Sequence, residues 1–266
     1  MLNKPFEIET IDSSYDTLLL EIGETYCVVS FLNTSYRAIK GLQVYTFDAF
    51  SIDESIREIL NNIPTQQPEQ VIVSPAFPEA LLVPRKIYSA EADFIKVIYN
   101  VPGATHLHDV IAEWQVVNAY AVPPGVHDEI TTRFPLATFT HVYTPFLKTN
   151  NEFTSDYQLM VHFIHNQFRV LLKIHQQIHL LQTYTFASPM DVVYYLLKIV
   201  TEFHLSQEEV HLILSGFVDE NSPLYKELHS YFLNIRFASA TTVSLPRKDH
   251  PDHFFTSVHN LAACAL

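Results

Sequence analysis

The sequence predicts a two-lobed α/β protein, and three observations carry that prediction. The first is an internal repeat. Leu42-Gln43-Val44-Tyr45-Thr46-Phe47 returns 139 residues later as Leu181-Gln182-Thr183-Tyr184-Thr185-Phe186, with five of six positions identical. The second is the order of elements around each copy: strand, strand, strand, helix, strand. That shared order makes duplication a better account than coincidence between two apolar strands. The third is composition. The 266 residues are 48% hydrophobic and 17% charged, enough chain for real cores and far from the disordered class. Three antiparallel strands followed by helix–strand–helix predict two mixed sheets with helices on their faces. Two such lobes leave a cleft between them, where ligands commonly bind.

In the first copy, Thr17–Ile22 and Tyr26–Leu32 are apolar, and Gly23-Glu24 between them reads as a hairpin turn. Asn33-Thr34 turns the chain into a third strand over about 36–47. Ser51 with Glu54 has the form of a capping box ahead of Ile52, Ile56, Ile59, Leu60 and Ile63 at helical spacing. Pro64 and Pro68 end that helix, and Val71-Ile72-Val73 is a short buried strand closed by Ser74-Pro75. Further on, Ser89 caps a helix to Tyr99 with Phe94, Ile95 and Ile98 inward, and Trp114–Val122 reads as a strand. Pro124 opens a helix to Phe134 with Val126, Ile130 and Phe134 on one face. Ala137–Phe146 reads as another strand.

The second copy follows the same order. Tyr157–Ile164 and Phe168–Lys173 are strands joined by His165-Asn166, and a third runs over about 178–186. Ser188-Pro189-Met190-Asp191 supplies an N-cap, a proline at the first helical position and an acid three residues on. Val192, Val193, Leu196, Leu197, Val200 and Phe203 form the inward stripe of that helix. Val210–Leu214 is a buried strand, Ser222-Pro223 opens a helix with Leu224, Leu228 and Phe232 inward, and Ile235-Arg236-Phe237 is a terminal strand. A last helix covers about 252–264.

A net charge of −13 argues against nucleic acid and anionic membrane surfaces as partners. Cys27 and Cys264 form no CxxC pair, so a reducing compartment is the plain reading. The first 15 residues contain no apolar stretch of a secretory signal, and no run approaches the ~20 apolar residues of a spanning helix. A cytoplasmic chain without membrane insertion is the expectation.

The duplicated unit resembles the plan of the actin-like ATPase fold, shared by sugar kinases, chaperone ATPases and proteins of pilus assembly and secretion. More closely, the chain resembles an uncharacterised bacterial domain-of-unknown-function family, number 3822. The segments that carry the likeness are Asn118-Ala119-Tyr120-Ala121-Val122-Pro123, Phe134-Pro135, Leu214-Ser215-Gly216 with Ser222-Pro223-Leu224-Tyr225, and the ending from His253 through Asn260-Leu261. The resemblance spans nearly the whole chain. It implies two ribonuclease H-like lobes, 1–135 and 136–266, each a mixed five-stranded sheet flanked by helices. Its motifs are loose, so it bears on fold rather than on activity.

Active members of that fold hold phosphates with two turns of the form Asp-x-Gly, where glycine admits backbone N–H groups to the phosphate and the acid helps place Mg²⁺. The corresponding first turn here reads Glu21-Ile22-Gly23-Glu24-Thr25, a displaced echo. The second reads His165-Asn166-Gln167, with neither Asp nor Gly. The adenosine loop corresponds to Ser215-Gly216-Phe217, and the position of the catalytic acid falls near Ser74-Pro75, which has no carboxylate. The chain has five glycines, too dispersed for a Gly-rich loop, and lacks GxxxxGK[ST] and GxGxxG.

Fourteen histidines raise a metal reading through His106-Leu107-His108-Asp109 and Asp249-His250-Pro251-Asp252-His253. Neither has zinc-motif spacing with a partner pair, and solvated loops are the simpler account. His175 and His179 flank a turn and read as surface residues. There is no GxSxG elbow, and Cys27 reads as an inert core thiol. Glu21 with Glu24 reads as a solvated hairpin tip before it reads as an acid–base pair.

The sequence therefore supports a pseudo-ATPase scaffold that binds a protein partner, itself included, with no catalytic residue, metal or cofactor. The alternative is a weak nucleotide binder or slow ATPase using Glu21, Gly23, Thr25, Ser215 and Gly216 in the cleft. A metal-dependent enzyme built on the histidines is a third reading.

Overall fold

A computed structural model describes residues 1–8, 14–64, 68–89, 92, 94–150, 155–239, 242–246 and 250–266. The chain divides into two compact units. The first comprises Met1–Asn151, Thr241–Lys248 and Ser257–Leu266, and the second Glu152–Ala240 and Asp249–Thr256.

The first unit contains a six-stranded sheet of order β1-β4-β3-β2-β5-β9. Its strands are β1 (Asn3–Ile8), β2 (Thr17–Ile22), β3 (Tyr26–Asn33), β4 (Ala38–Thr46), β5 (Gln70–Pro75) and β9 (Thr138–Phe139). The first four pair antiparallel, while β2–β5 and β5–β9 are parallel. Every residue of β2 and β3 is buried, which is why both read as continuous apolar runs rather than alternating ones. Helix α1 (Ile52–Asn62) turns Ile56, Ile59 and Leu60 inward, and α3 (Pro124–Arg133) does the same with Val126 and Ile130.

A second, three-stranded antiparallel sheet, β6-β8-β7, consists of β6 (Ala80–Pro84), β7 (Thr105–Ile111) and β8 (Val116–Val122). Helix α2 (Phe94–Ile98) packs Ile95 on Ala119 and Ala121 from one side. The opposite side carries Asp109, paired across the strands with Asn118. The Asp109 carboxylate accepts hydrogen bonds from Thr144 Oγ1 at 2.6 Å, the His141 amide at 2.9 Å, Thr140 Oγ1 at 3.2 Å and Tyr120 Oη at 3.3 Å. One side chain thus ties β7 and β8 to the connection between β9 and α4 (Tyr143–Thr149).

The second unit is a five-stranded sheet of order β12-β11-β10-β13-β14. Its members are β10 (Tyr157–Ile164), β11 (Gln167–Ile174), β12 (Gln177–Thr185), β13 (His211–Gly216) and β14 (Asn234–Phe237). Helices α5 (Pro189–Glu202) and α6 (Pro223–His229) supply Val192, Val193, Leu196, Val200 and Leu228 to a core with Leu159, Val161, Phe168, Val170, Leu172 and Phe232. β4-β3-β2-β5-β9 of the first large sheet and β12-β11-β10-β13-β14 of the second share one arrangement, three antiparallel strands and then two parallel ones.

Five expectations need correction. Residues 137–146 are not one strand: β9 covers two residues and α4 follows, with Pro145 in its first turn, where the missing N–H costs no hydrogen bond. Ser51 makes no side-chain cap, whereas Asp48 caps the short 3₁₀ turn before α1 by accepting from the Phe50 amide. Ile98 points outward, because a one-and-a-half-turn helix buries only Ile95. The first large sheet has six strands rather than five, since β1 covers the outer edge of β4. β9 pairs with β5 and so belongs to the first compact unit. The last helix begins as a 3₁₀ turn, Asp252–Phe255, before α7 (Thr256–Ala262).

The capping box of α5 is present in both directions: Ser188 Oγ accepts from the Asp191 amide, and the Asp191 carboxylate accepts from the Ser188 amide. Ser188→Ala is expected to cost about 1 kcal/mol in urea unfolding. Burial pushes the Asp109 carboxyl up, against the four hydrogen bonds that pull it down. A folded-state value above the unfolded one contributes stability at low pH that is lost as pH rises through the raised value. Unfolding midpoints measured from the ordinary aspartate range upward are expected to show this decline, and Asp109→Asn is expected to flatten it.

Candidate functional site

The first candidate turn joins β2 to β3 and is closed by a hydrogen bond from the Gly23 amide to the Tyr26 carbonyl at 3.0 Å. Gly23 is needed here for a reason other than a ligand. A β-carbon at this position would collide with the ring of Tyr26, which is 0% exposed. The Tyr26 hydroxyl then reaches Glu21 and donates to its Oε1 at 2.9 Å. Glu21 is only 4% exposed. The glycine and the acid of the echo are thus both engaged by one tyrosine. Thr25, half-buried, accepts the Phe47 amide through its carbonyl at 3.0 Å.

Glu24, next in the turn, is half-buried, so Glu21 and Glu24 do not form an exposed hairpin tip. Glu24 lies close enough to Glu79 for its charge to help raise the Glu79 carboxyl, burial being the larger cause. Glu79 follows β5 by four residues, and its place beside the turn was not legible in sequence because it depends on the β5–β6 connection. Ser74, directly across from Glu21 in the β2–β5 register, is buried with no hydrogen-bond partner for its hydroxyl. Cys27 is buried, and burial pushes its thiol up, with the Glu21 carboxylate adding to the effect. It has no character of a nucleophile.

The second turn, His165-Asn166, joins β10 to β11 as a two-residue connection with Ile164 paired to Gln167. His165 takes a left-handed φ of 50°, and burial lowers its imidazole's tendency to protonate. Ser215 and Gly216 close β13 in the same unit. The Ser215 hydroxyl lies 3.0 Å from His162 Nδ1 and is buried. Gly216 has φ of 79°, and a β-carbon there would strike the Phe163 carbonyl oxygen, which accepts the Phe217 amide at 3.0 Å. Glu21, Gly23 and Thr25 therefore belong to one unit and Ser215 with Gly216 to the other.

The histidines have structural surroundings. On β7, strand alternation sets His106 and His108 on the side opposite Asp109, and His108 packs against Tyr88 with ring centroids 5.3 Å apart. His253 stacks on Phe237 at 4.1 Å, with Nε2 2.8 Å from the Val218 carbonyl. Asp249 of the second cluster lies outside the described residues. Among the described residues, no three His, Cys, Asp or Glu are grouped to hold a metal ion, and no helix is long and apolar enough to cross a membrane. Sequence reading missed the Asp109 cluster, with Asn118 beside it. Asn118 is 0% exposed and neither of its amide atoms has a partner. Its only sequence signal was a place in the Asn118–Pro123 segment.

The structure is similar to that of a Bacteroides thetaiotaomicron protein described as having an actin-like ATPase fold and unknown function. The TM-score is 0.79 at 15% identity, over 97% of this chain and 99% of that one. A structure described as the PilM-PilN type IV pilus biogenesis complex matches with TM-score 0.60 and 12% identity, over 94% and 98% of the two chains. The ethanolamine utilization protein EutJ from Carboxydothermus hydrogenoformans matches with TM-score 0.51 and 9% identity, over 96% and 91%. At these identities the likeness concerns the fold. No curated protein matches in sequence. The family described as "Protein of unknown function (DUF3822)" matches residues 5–235, and the chain accordingly belongs to that family, with the actin-like ATPase fold.

Proposed function

We propose that this protein is a non-catalytic scaffold that keeps the actin-like fold and uses it to bind another protein. The observation that carries this reading is the Tyr26 ring packed on Gly23 with its hydroxyl on Glu21, so that the glycine and the acid of the turn are both engaged within the protein. The second turn adds no glycine or acid, and Ser215 is engaged by His162. Glu24 beside Glu79 places further negative charge at the first turn, which opposes a phosphate. The resemblance to a protein solved as part of a pilus biogenesis complex supports a protein partner. A cytoplasmic setting, bacterial origin and an internal duplication complete the proposal.

A second reading keeps one specific support. Glu79 is half-buried with a raised carboxyl beside the turn, and Gly216 retains the left-handed backbone of a ligand loop. Such a carboxyl suits general acid–base work in a slow ATPase that uses Glu21, Gly23, Thr25, Ser215 and Gly216 to hold nucleotide.

Thermal unfolding with ATP, ADP or GTP and Mg²⁺ separates the two readings. No shift is expected at millimolar nucleotide, whereas a ligand at 100 times its Kd would add ~2.7 kcal/mol. A shift abolished by Glu79→Gln or Gly216→Ala would establish the second reading. A double-mutant cycle tests the closed turn itself. Gly23→Ala is expected to cost about 1–3 kcal/mol through overpacking, and to cost far less in a Tyr26→Ala background. The scaffold reading further expects the tagged chain to retain a specific protein in its own cell or to self-associate. A monomer with no partner would end it.

A further inference from the structure

Asn118 lies on β8, the middle strand of the small sheet, and is 0% exposed, yet neither its Oδ1 nor its Nδ2 has a hydrogen-bond partner. Buried amides are almost always paired, so an orphan of this kind needs a physical account. Across the strands Asn118 stands opposite Leu82 on β6 and Asp109 on β7. Leu82 has nothing polar to offer. Side chains directly opposite in an antiparallel pair share a face, with Cβ atoms about 5 Å apart. The Asp109 carboxyl is therefore within reach of the Asn118 amide.

The two oxygens of Asp109 are unequally served. Oδ2 accepts from Thr144 Oγ1, the His141 amide and Thr140 Oγ1, while the bond to Oδ1, from Tyr120 Oη, is the longest of the four at 3.3 Å. Oδ1 is thus the oxygen with room for a proton. A neutral carboxylic acid has one O–H to donate, whereas a carboxylate only accepts. Asn118 answers both states. Its Oδ1 accepts the proton of a neutral acid, and its Nδ2, presented by turning the amide over, donates to a carboxylate. Burial favours the neutral form of Asp109.

We propose that Asp109 and Asn118 form a proton-operated latch between the small sheet and the β9–α4 connection. In the protonated state Asp109 Oδ1–H donates to Asn118 Oδ1, and both residues are bonded within their own sheet. On ionisation the O–H bond breaks, its electron pair stays on Oδ1, and the proton passes to solvent, which the half-buried Asp109 reaches. The Asn118 amide turns over and donates Nδ2–H to the new charge. The bonds from Thr140, Thr144 and the His141 amide become charge-assisted, which strengthens them. The seam is looser in acid and tighter once Asp109 ionises.

Other titratable groups face the same place. Burial, then the Asp109 charge, pushes the Tyr120 hydroxyl up, so it stays a donor throughout. Cys264, just after α7, is pushed up by burial and by Asp109, and drawn down by Lys148 of α4. The His141 ring lies 5.1 Å from that of Tyr120, centroid to centroid.

The test is an NMR pH titration of the intact chain that follows the Asp109 carboxyl carbon, the Asn118 side-chain Nδ2 protons and exchange of the His141 amide. One Nδ2 proton is expected to move downfield with the same midpoint as the Asp109 carboxyl. Exchange of the His141 amide, corrected for intrinsic base catalysis, is expected to slow by at least about threefold across that midpoint. Asp109→Asn should abolish both changes, which separates Asp109 from the His141 ring. Asn118→Asp should raise the Asp109 midpoint by about one pH unit or more, because two carboxyls in reach of each other resist ionising together. Asn118 signals that stay fixed while Asp109 titrates, or His141 exchange that does not slow, overturn the proposal in the unaltered protein, whether or not the variants fold. Changes that survive Asp109→Asn, or an Asp109 midpoint indifferent to Asn118→Asp, overturn it as well.

Discussion

Burial of polar side chains on one face of the second unit's sheet is the constraint on which the rest of that unit depends. Gln158 and His162 on β10, Gln167, Arg169 and Lys173 on β11, and Ser215 on β13 are all buried, with Arg169 at 3% and Lys173 at 1% exposure. The register places them together: His162 lies between Arg169 and Ser215, and Gln158 faces Lys173. A buried charge without a partner is very costly, and each of these side chains is engaged. Their neighbours in sequence, Leu159, Val161, Phe168, Val170 and Leu172, form the apolar core on the other face. Slipping β11 by one residue would drive Arg169 and Lys173 among those side chains and expel Phe168 from them. The register is therefore held from both faces at once.

The first unit meets the same demand with fewer polar groups. In its large sheet Tyr26 carries its hydroxyl to Glu21, and in its small sheet Asp109 collects four donors from three segments. Both acids are accounted for by internal hydrogen bonding. That separates motif from function: a glycine and an acid in a hairpin turn are equally the residues that a phosphate needs and the residues that let a buried tyrosine lie flat across the turn. Here the residue that ends the turn, Tyr26, engages both of them.

The large sheets were legible because their signals are local. Two hairpins, two proline-and-serine helix starts and a repeated hexapeptide sit within short windows, and the strands are apolar on nearly every residue. Ser188 with Asp191 worked as a capping signal because proline fixed the first helical residue, whereas Ser51 with Glu54 did not, since Asp48 had already started a 3₁₀ turn. The small sheet was partly missed because β6 is five residues with two prolines nearby and its hydrophobicity is shared between two faces. The Asp109 cluster had no local signature at all: its donors come from positions 11, 31, 32 and 35 residues away. Glu79 escaped for the same reason, being significant only through proximity to Glu24.

The two hexapeptides, identical at five of six positions, lie in different surroundings. Tyr45 donates its hydroxyl to Gln43, which in turn holds Glu7 of the covering strand. The equivalent Tyr184 instead stacks on Tyr195 at 4.5 Å and on Phe168 at 5.4 Å, inside the α5 core. Among the described residues no strand pairs with β12 on the side away from β11 and places an acid opposite Gln182 as β1 places Glu7 opposite Gln43. Packing against the α5 core explains why Leu180 and Tyr184 are apolar or aromatic. It does not explain a glutamine on a strand edge, where a charged residue would guard the sheet better.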